Sequence, residues 1–361
     1  MPEVSAAPHS RRALSMAAPK PPSLTRTASL WFGNGASHRP LHVLGADALT
    51  LSAAGAGALA GALFVSQLSG GASSRHAPSW SGGDDLALLF DVLIPGLALA
   101  ALGVTSLVGA RQLARALRSA DASLPRFGRK CLVTTGCSLC FVFSCVYRAL
   151  NIADEGAAMC RGAPSPFNAP VAGRFVATLG EVALVVQVSV YVDETARRLG
   201  AERGLWRGCF ERWTSVPFST LGPVLVAEAM SWTGVLSGDS KFYCAEYVLW
   251  MLIAFTWAWD AAEMLHRSRT AVDAVTSAAL LSAGLGLFFF NALLEIPHFF
   301  RYEREGALAE VPGIWECVQD ADSPLWLKRL PFFFTYFVGC SWSSAALTYR
   351  FVRGAKAWKR E

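Results

Sequence analysis

The sequence predicts an all-α integral membrane protein: a polytopic helix bundle of about eight transmembrane helices, with both termini on the cytosolic side. Three observations support this fold class. Hydrophobic residues make up 53% of the 361 residues and charged residues only 16%, whereas a soluble domain usually carries about 25% charge. The apolar residues are gathered in runs of about 20, the length that crosses a bilayer as a helix. The basic residues fall mainly in alternate loops, which gives the bundle a direction.

Eight apolar runs are candidate spans, numbered here in chain order. They cover residues 43–66, 86–108, 131–150, 171–192, 214–236, 243–265, 274–298 and 330–351. Backbone N–H and C=O groups find no water in the bilayer core, so each run is expected to be a helix. The first run is the weakest, because it is rich in Ala and Gly and contains Asp47. The sequence therefore predicts a transmembrane bundle over residues 43–351.

The two ends of the chain are basic and polar. Residues 1–42 are rich in Ser, Ala and Pro, a composition that favours a disordered tail. A transit-like segment is the alternative, because organelle transit peptides are rich in Arg and Ser and poor in acids. Residues 352–361 are predicted to be a basic C-terminal tail.

The distribution of Lys and Arg predicts the orientation. With eight spans, 23 of the 32 basic residues lie on the side that holds both termini, which we call the basic side. The opposite side, the acidic side, holds at most nine basic residues, and its loops carry eleven acidic ones. Short loops rich in Lys and Arg stay on the side from which insertion occurs. The basic side is therefore predicted to be cytosolic, stromal or matrix, and the acidic side lumenal or external.

Polar residues within the spans form the predicted binding pocket. Ionisable residues inside a membrane are costly and usually functional, and here they lie at similar depths in the acidic half of the bilayer. The candidates are Asp91, Arg148, Arg174, Glu181, Glu228, Trp232, Glu246, Trp250, Asn291, Glu295 and His298. Five carboxylates against two arginines leave an excess of negative charge, which must be neutralised by protons, a metal or a cationic ligand. Structural hydrogen bonding between helices is the alternative interpretation.

One segment, "NALLEIPHFFR", places Asn291, Glu295 and His298 at i, i+4 and i+7, on one face of a helix. Glu295 and His298 are also the candidate metal ligands, since carboxylate and imidazole suit hard or borderline metals. Glu263 and His266 repeat the same spacing, but His266 is predicted at the basic end and cannot share that site. The sequence contains no phosphate loop, dinucleotide fingerprint or Gly-x-Ser-x-Gly elbow, and it indicates no particular cofactor.

Two of the nine cysteines lie in loops of the acidic side. Cys160 and Cys317 occupy the longest such loops of the second half of the chain. Because disulfides persist in oxidising compartments, a Cys160–Cys317 disulfide is predicted if the acidic side is oxidising.

Three classes of function fit these observations. The first is a transporter of protons, a metal or a cationic solute. The second is a membrane-embedded enzyme acting on a lipid or other apolar substrate by acid–base or metal chemistry, and the third is a structural or assembly subunit. The expected partners are the lipid bilayer and a small cationic or apolar ligand, and the basic side needs no nucleic acid to explain it. Plasma membrane, endomembrane and organelle membrane all remain open as locations.

Overall fold

The computed structural model describes residues 88–118, 126–154, 159–199, 218–305, 315–321 and 323–358. The predictions for residues 1–42 and for the first span, 43–66, lie outside these residues. The described chain is mostly helical, and all of it belongs to one compact unit.

Nine α-helices and three π-helical segments form the bundle in the described part of the chain. The α-helices are α1 (Ile94–Arg118), α2 (Arg126–Leu150), α3 (Pro170–Arg198), α4 (Phe218–Ser237), α5 (Ser240–His266), α6 (Ala271–Phe290), α7 (Ile296–Glu305), α8 (Pro324–Phe333) and α9 (Ser341–Trp358). The π-helical segments are Leu88–Leu93, Asn291–Glu295 and Phe334–Cys340. Each π segment continues directly into its neighbours, so α6 and α7 form one rod and α8 and α9 form another.

Six helical stretches are long and apolar enough to cross a bilayer. They are Leu88–Gln112, Lys130–Leu150, Pro170–Arg198, Ser240–His266, Ala271–Phe300 and Leu325–Phe351. These stretches match six of the eight predicted spans. Residues 218–236 of the predicted fifth span lie in α4, which is not among the six. Six such helices indicate a multi-pass membrane protein.

Large apolar side chains on the outer faces of the rods fit this assignment. Leu107 is 62% exposed, Leu236 60% and Trp259 66%. In water such a surface would be costly. In a bilayer these faces contact lipid tails instead.

The helices from α1 to α6 pack side by side in chain order, and α9 closes the bundle against α1, α2 and α3. The α4–α5 connection is only two residues long, Gly238 and Asp239. Gly238 has a φ of 70°, a conformation that glycine adopts without steric cost. The Asp239 side chain accepts a hydrogen bond from the Lys241 N–H and thereby caps α5.

Small residues allow close approach at two helix pairs. A Cβ atom on Gly180 of α3 would lie 2.5 Å from Cβ of Ser144 on α2. A Cβ atom on Gly284 of α6 would lie 2.9 Å from the backbone of Ala254 and of Ala258 on α5. Such contacts are typical of membrane bundles, where helices associate through close packing.

A disulfide and a small sheet tie two loops together at one end of the bundle. Cys160 and Cys317 form the disulfide, with Cα atoms 5.6 Å apart. Beside it, β1 (Ala153–Asp154) pairs antiparallel with β2 (Met159–Cys160), and β2 pairs parallel with β3 (Val318–Gln319). The α2–α3 and α7–α8 loops therefore lie at one end, which we call the disulfide end.

Ion pairs mark the opposite end, which we call the Lys130 end. Lys130 on α2 contacts Asp193 at 3.1 Å and Glu194 at 2.8 Å, both on α3. Arg198 at the end of α3 pairs with Asp273 at the start of α6. The disulfide end corresponds to the predicted acidic side and the Lys130 end to the predicted basic side.

Candidate functional site

Arg174 is the centre of a buried ionic cluster contributed by five helical rods. Its members, called the Arg174 cluster below, are Arg148, Arg174, Thr178, Glu181, Glu228, Ser231, Trp232, Glu246 and Tyr336. The Arg174 side chain and the three glutamates are buried, each with 4–7% of the side chain exposed. Because a buried charge is stable only when it is paired and hydrogen-bonded, these residues must be treated together.

The Arg174 guanidinium contacts all three glutamates. Its Nη2 donates to Glu181 Oε2 and to Glu228 Oε2, both at 2.9 Å. Its Nη1 donates to Ser231 Oγ at 2.6 Å and to Glu246 Oε1 at 3.3 Å. One side chain of α3 thus joins α4 and α5.

Glu228 is bonded on one oxygen only. Its Oε2 accepts from Arg174 and from Thr178 Oγ1, the latter at 2.6 Å, and Thr178 in turn accepts from Trp232 Nε1 at 3.0 Å. Its Oε1 is buried and has no hydrogen-bond partner among the described residues. A buried acceptor without a donor costs about 1–3 kcal/mol, so this oxygen is a site that a proton or a ligand would satisfy.

Glu181 extends the cluster to α2 and to the last membrane rod. Its Oε1 accepts from Tyr336 Oη at 2.7 Å and lies 3.6 Å from Arg148 Nη1. The Arg148 guanidinium also lies over the Tyr336 ring, 5.2 Å from its centroid, a favourable cation–π geometry. Within the cluster, three carboxyl groups share two guanidinium groups.

Arg329 forms a second ionic group nearer the disulfide end. Its Nη1 lies 2.8 Å from both oxygens of Glu295, and its Nε donates to Asp154 Oδ2 at 3.0 Å. The group connects α8 with the rod of α6 and α7 and with β1. Two carboxylates here share one arginine, which lies one residue before the predicted span 330–351.

Asp91 makes a separate pair at the same end. Arg161, in the α2–α3 loop, donates from Nε to Asp91 Oδ1 at 3.0 Å and lies over the Phe90 ring at 5.1 Å. Arg161 also donates to the Ala321 carbonyl at 3.1 Å. The pair therefore holds the start of the first described rod against both loops of the disulfide end.

The structure distributes the predicted pocket residues over several environments. Arg148, Arg174, Glu181, Glu228, Trp232 and Glu246 come together in one cluster. Asp91 pairs with Arg161, and Glu295 pairs with Arg329. Trp250 packs in the apolar core between α3, α4 and α5, and the His298 ring contacts the Phe299 ring edge-to-face at 5.5 Å. Asn291 is 1% exposed, and its Nδ2 has no hydrogen-bond partner among the described residues.

The predicted stripe of Asn291, Glu295 and His298 is altered by a π turn. Residues Asn291–Glu295 form a π-helical segment, and the Ile296 N–H bonds to the Asn291 carbonyl, five residues back. Pro297 follows at once and supplies no N–H of its own. The wider turn changes the angular spacing along the rod, so regular i, i+4, i+7 geometry does not apply.

The described residues contain no group of three or more His, Cys, Asp or Glu side chains placed to hold a metal ion. At the candidate ligand Glu295, the Arg329 guanidinium contacts both carboxylate oxygens. A resident metal at Glu295 would have to displace that contact.

Four residues of these ionic groups were missed as partners in the sequence: Asp154, Arg161, Arg329 and Tyr336. For Arg329 a signal was present. Ser323 and Pro324 form a helix start, with the Ser323 side chain accepting from the Leu325 N–H and proline in the first turn. The helix therefore begins before the predicted boundary of 330 and includes Arg329. Asp154 and Arg161 carry no such local signal.

No protein-family model, curated protein or solved structure matches the chain. Its class therefore rests on its own features. They are those of a multi-pass integral membrane protein with a buried arginine–glutamate cluster between its helices.

Proposed function

We propose that this protein is a membrane transporter for protons or a small cation, and that the Arg174 cluster is its binding site. The observation that carries the proposal is Glu228, a buried carboxyl group with one bonded and one unbonded oxygen. The same Arg174 nitrogen donates to Glu181 and to Glu228, which places these two carboxyl groups next to each other. Like charges in such proximity favour uptake of a positive charge.

The proposed layout has eight spans with both termini cytosolic. The concentration of Lys and Arg in alternate loops supports this orientation. At the disulfide end, Arg148, Arg161, Arg174 and Arg329 are each paired with acidic residues. The charges of these four basic residues on the acidic side are thus balanced within the fold. The difference in unbalanced positive charge between the two sides is therefore larger than the residue counts alone give.

Transport is favoured over an enzymatic role by the distribution of buried polar groups. An enzyme needs access from one side only, whereas a transporter needs a path to both. Gln187 and Ser189 lie beyond the Arg174 cluster, toward the Lys130 end, and both are buried, with 0% and 2% exposure. A structural subunit would not need the unbonded Glu228 oxygen.

Reconstitution into liposomes tests the proposal. Wild-type protein is expected to move protons, sodium, potassium or tetraethylammonium faster than protein-free vesicles. Glu228→Gln, which keeps the shape and removes the charge, should reduce that flux at least tenfold. Glu263→Gln is the matched control, because Glu263 forms a partly exposed helix-end pair with Arg267. Flux equal to protein-free vesicles for every cation, or full activity of Glu228→Gln, would overturn the proposal.

A further inference from the structure

A line of buried polar side chains follows the junction of α2, α3 and α9 from the Arg174 cluster to the Lys130 end. We call it the Gln187 seam. Its members are Lys130, Thr134 and Ser138 on α2, Gln187 on α3, and Ser341, Ser344 and Thr348 on α9. All seven are buried, and all but Lys130 have 0% exposure.

Gln187 is the centre of this seam. Its Nε2 donates to the Ser344 carbonyl at 2.8 Å and to Thr348 Oγ1 at 2.9 Å, and its Oε1 accepts from Ser344 Oγ at 2.6 Å. Ser344 Oγ also lies 2.8 Å from Ser138 Oγ. Since Ser344 uses its proton toward Gln187, Ser138 is the donor in that pair. The three rods are thus connected by a continuous set of side-chain hydrogen bonds.

The seam extends toward the Arg174 cluster on one side. Tyr336, the hydrogen-bond donor to Glu181, is followed along its rod by Ser341, Ser344 and Thr348 at intervals of five, three and four residues. The five-residue interval spans the π segment, whose wider turn keeps these side chains in register. Glu181 and Gln187 are six residues apart on α3, or about 9 Å along the axis.

The seam also reaches the opposite end. Thr134 and Lys130 precede Ser138 on α2 at four-residue intervals, and so lie on the same face. Lys130 contacts Asp193 and Glu194, which are six and seven residues beyond Gln187 on α3. Ionisable groups therefore stand at both ends of a hydrogen-bonded middle section.

The geometry of the cluster selects the kind of ion. Calcium needs six to eight oxygen ligands and magnesium an octahedral set, whereas Glu228 presents a single unbonded carboxyl oxygen. A guanidinium group lies within hydrogen-bonding distance of that carboxylate and would repel a bound metal or organic cation. The single unbonded oxygen of Glu228, beside the Arg174 guanidinium, is sufficient to bind a proton. Carboxyl groups within membrane spans are also typical of proton relays.

We propose that the transported ion is the proton, and that it crosses between the Glu181–Glu228 pair and the Lys130–Asp193–Glu194 group along the Gln187 seam. This inference rests on the proposed transport function. Each transfer breaks one O–H or N–H bond and forms another, with water bridging steps longer than a hydrogen bond. No electron is transferred, and each proton carries one positive charge across.

The test compares two glutamine variants in the same liposomes. Gln187→Leu removes the central hydrogen bonds at similar volume, and Gln112→Leu is the control, because Gln112 lies on α1 outside the seam. Proton flux should fall at least tenfold in Gln187→Leu and remain unchanged in Gln112→Leu. Ser344→Ala, a smaller change, replaces Gln187→Leu if that variant is not monodisperse, and it should also lower the flux at least threefold.

Infrared difference spectroscopy on pH change supplies a second measurement that does not depend on flux. The C=O band of a protonated carboxyl group should disappear in Glu228→Gln and persist in Gln187→Leu. Sodium, potassium or tetraethylammonium flux without proton flux would overturn the inference and leave the transport proposal standing. Proton flux that is normal in both seam variants but lost in Glu228→Gln would overturn the route alone. Absence of flux for every ion would overturn both proposals.

Discussion

Tyr336 donates a 2.7 Å hydrogen bond to Glu181 from within a π-helical turn. The contact links the last membrane rod to α3 at the Arg174 cluster. The π segment, Phe334–Cys340, lies between α8 and α9, and its wider turn sets the face of the rod on which Tyr336 lies. A residue in a π-helical turn thus supplies a hydrogen-bond donor to the buried Glu181 carboxyl group.

Tyr336→Phe should destabilise the protein by about 1–3 kcal/mol, because the buried Glu181 oxygen loses its donor. Unfolding in mixed detergent micelles measures the change. A double-mutant cycle with Glu181→Gln should show coupling, with the double variant less destabilised than the sum of the two single variants. Additive effects would mean that the two side chains do not interact energetically.

Arg174→Met should be far more damaging than any change at a partly exposed ion pair. Removing the guanidinium leaves three buried carboxyl groups without their shared donor, and breaking a buried pair costs about 3–5 kcal/mol. The thermal transition of the purified protein should fall steeply, or the folded species should be lost. Arg267→Gln is the control, since its pair with Glu263 is partly exposed and should contribute about 1 kcal/mol or less. Equal stability of the two variants would contradict the central role of Arg174.

Gly180→Ala should lower stability, because its Cβ would lie 2.5 Å from Cβ of Ser144 and 2.6 Å from its Oγ. The obstacle is a side chain, so Ser144→Gly should restore part of the loss in the double variant. Gly136→Ala is the matched control, with nothing within 4 Å of the added atom. There the substitution should be neutral or stabilising, since alanine is the better helix former by about 1 kcal/mol. Thermal shift measurements on all four variants decide the question.

Cys160 and Cys317 should be recovered as one linked peptide pair after proteolysis without reduction. Reduction before denaturing alkylation should add two labels to the intact mass. The Cys160→Ser/Cys317→Ser double variant should unfold at a lower temperature, because the disulfide restricts the unfolded chain. Wild type under reducing conditions should approach the variant. Two alkylated thiols in the unreduced protein would contradict the disulfide.

Cysteine labelling from each side of the membrane should show which end of the bundle faces which side. We expect Ala163→Cys, in the α2–α3 loop, to react with an impermeant maleimide from the lumenal or external side. Ser268→Cys, in the α5–α6 loop, should react only after the membrane is permeabilised and the reagent reaches the cytosolic side. Wild type provides the background from the native thiols. The reverse pattern would invert the proposed orientation.

Much of the Arg174 cluster could be predicted from the sequence positions of its members. Arg174, Thr178 and Glu181 recur at helical spacing inside an apolar run, and charges in such a run must find partners. Their depth along the rods then places Glu228 and Glu246 at the same level. What could be predicted is therefore the level of the site and the face of α3 that carries it.

The pairing of Glu295 could not be predicted in the same way. Its partner Arg329 comes from a helix that starts before the apolar run begins, and Asp154 comes from a loop that folds back onto the bundle. Loop return paths leave no periodic pattern in the sequence. The π segment at Asn291–Glu295 also shifts the face on which Glu295 lies, and helical periodicity assumes a regular turn.

The Cys160–Cys317 bond has a topological consequence. It closes a covalent ring over a sequence separation of 157 residues, and the helices from α3 to α7 all lie within that ring. A single protease cut in any loop between them opens the ring without dividing the molecule. The two resulting fragments stay joined until the bond is reduced. The protein can therefore be cut once within this region and remain one covalent molecule.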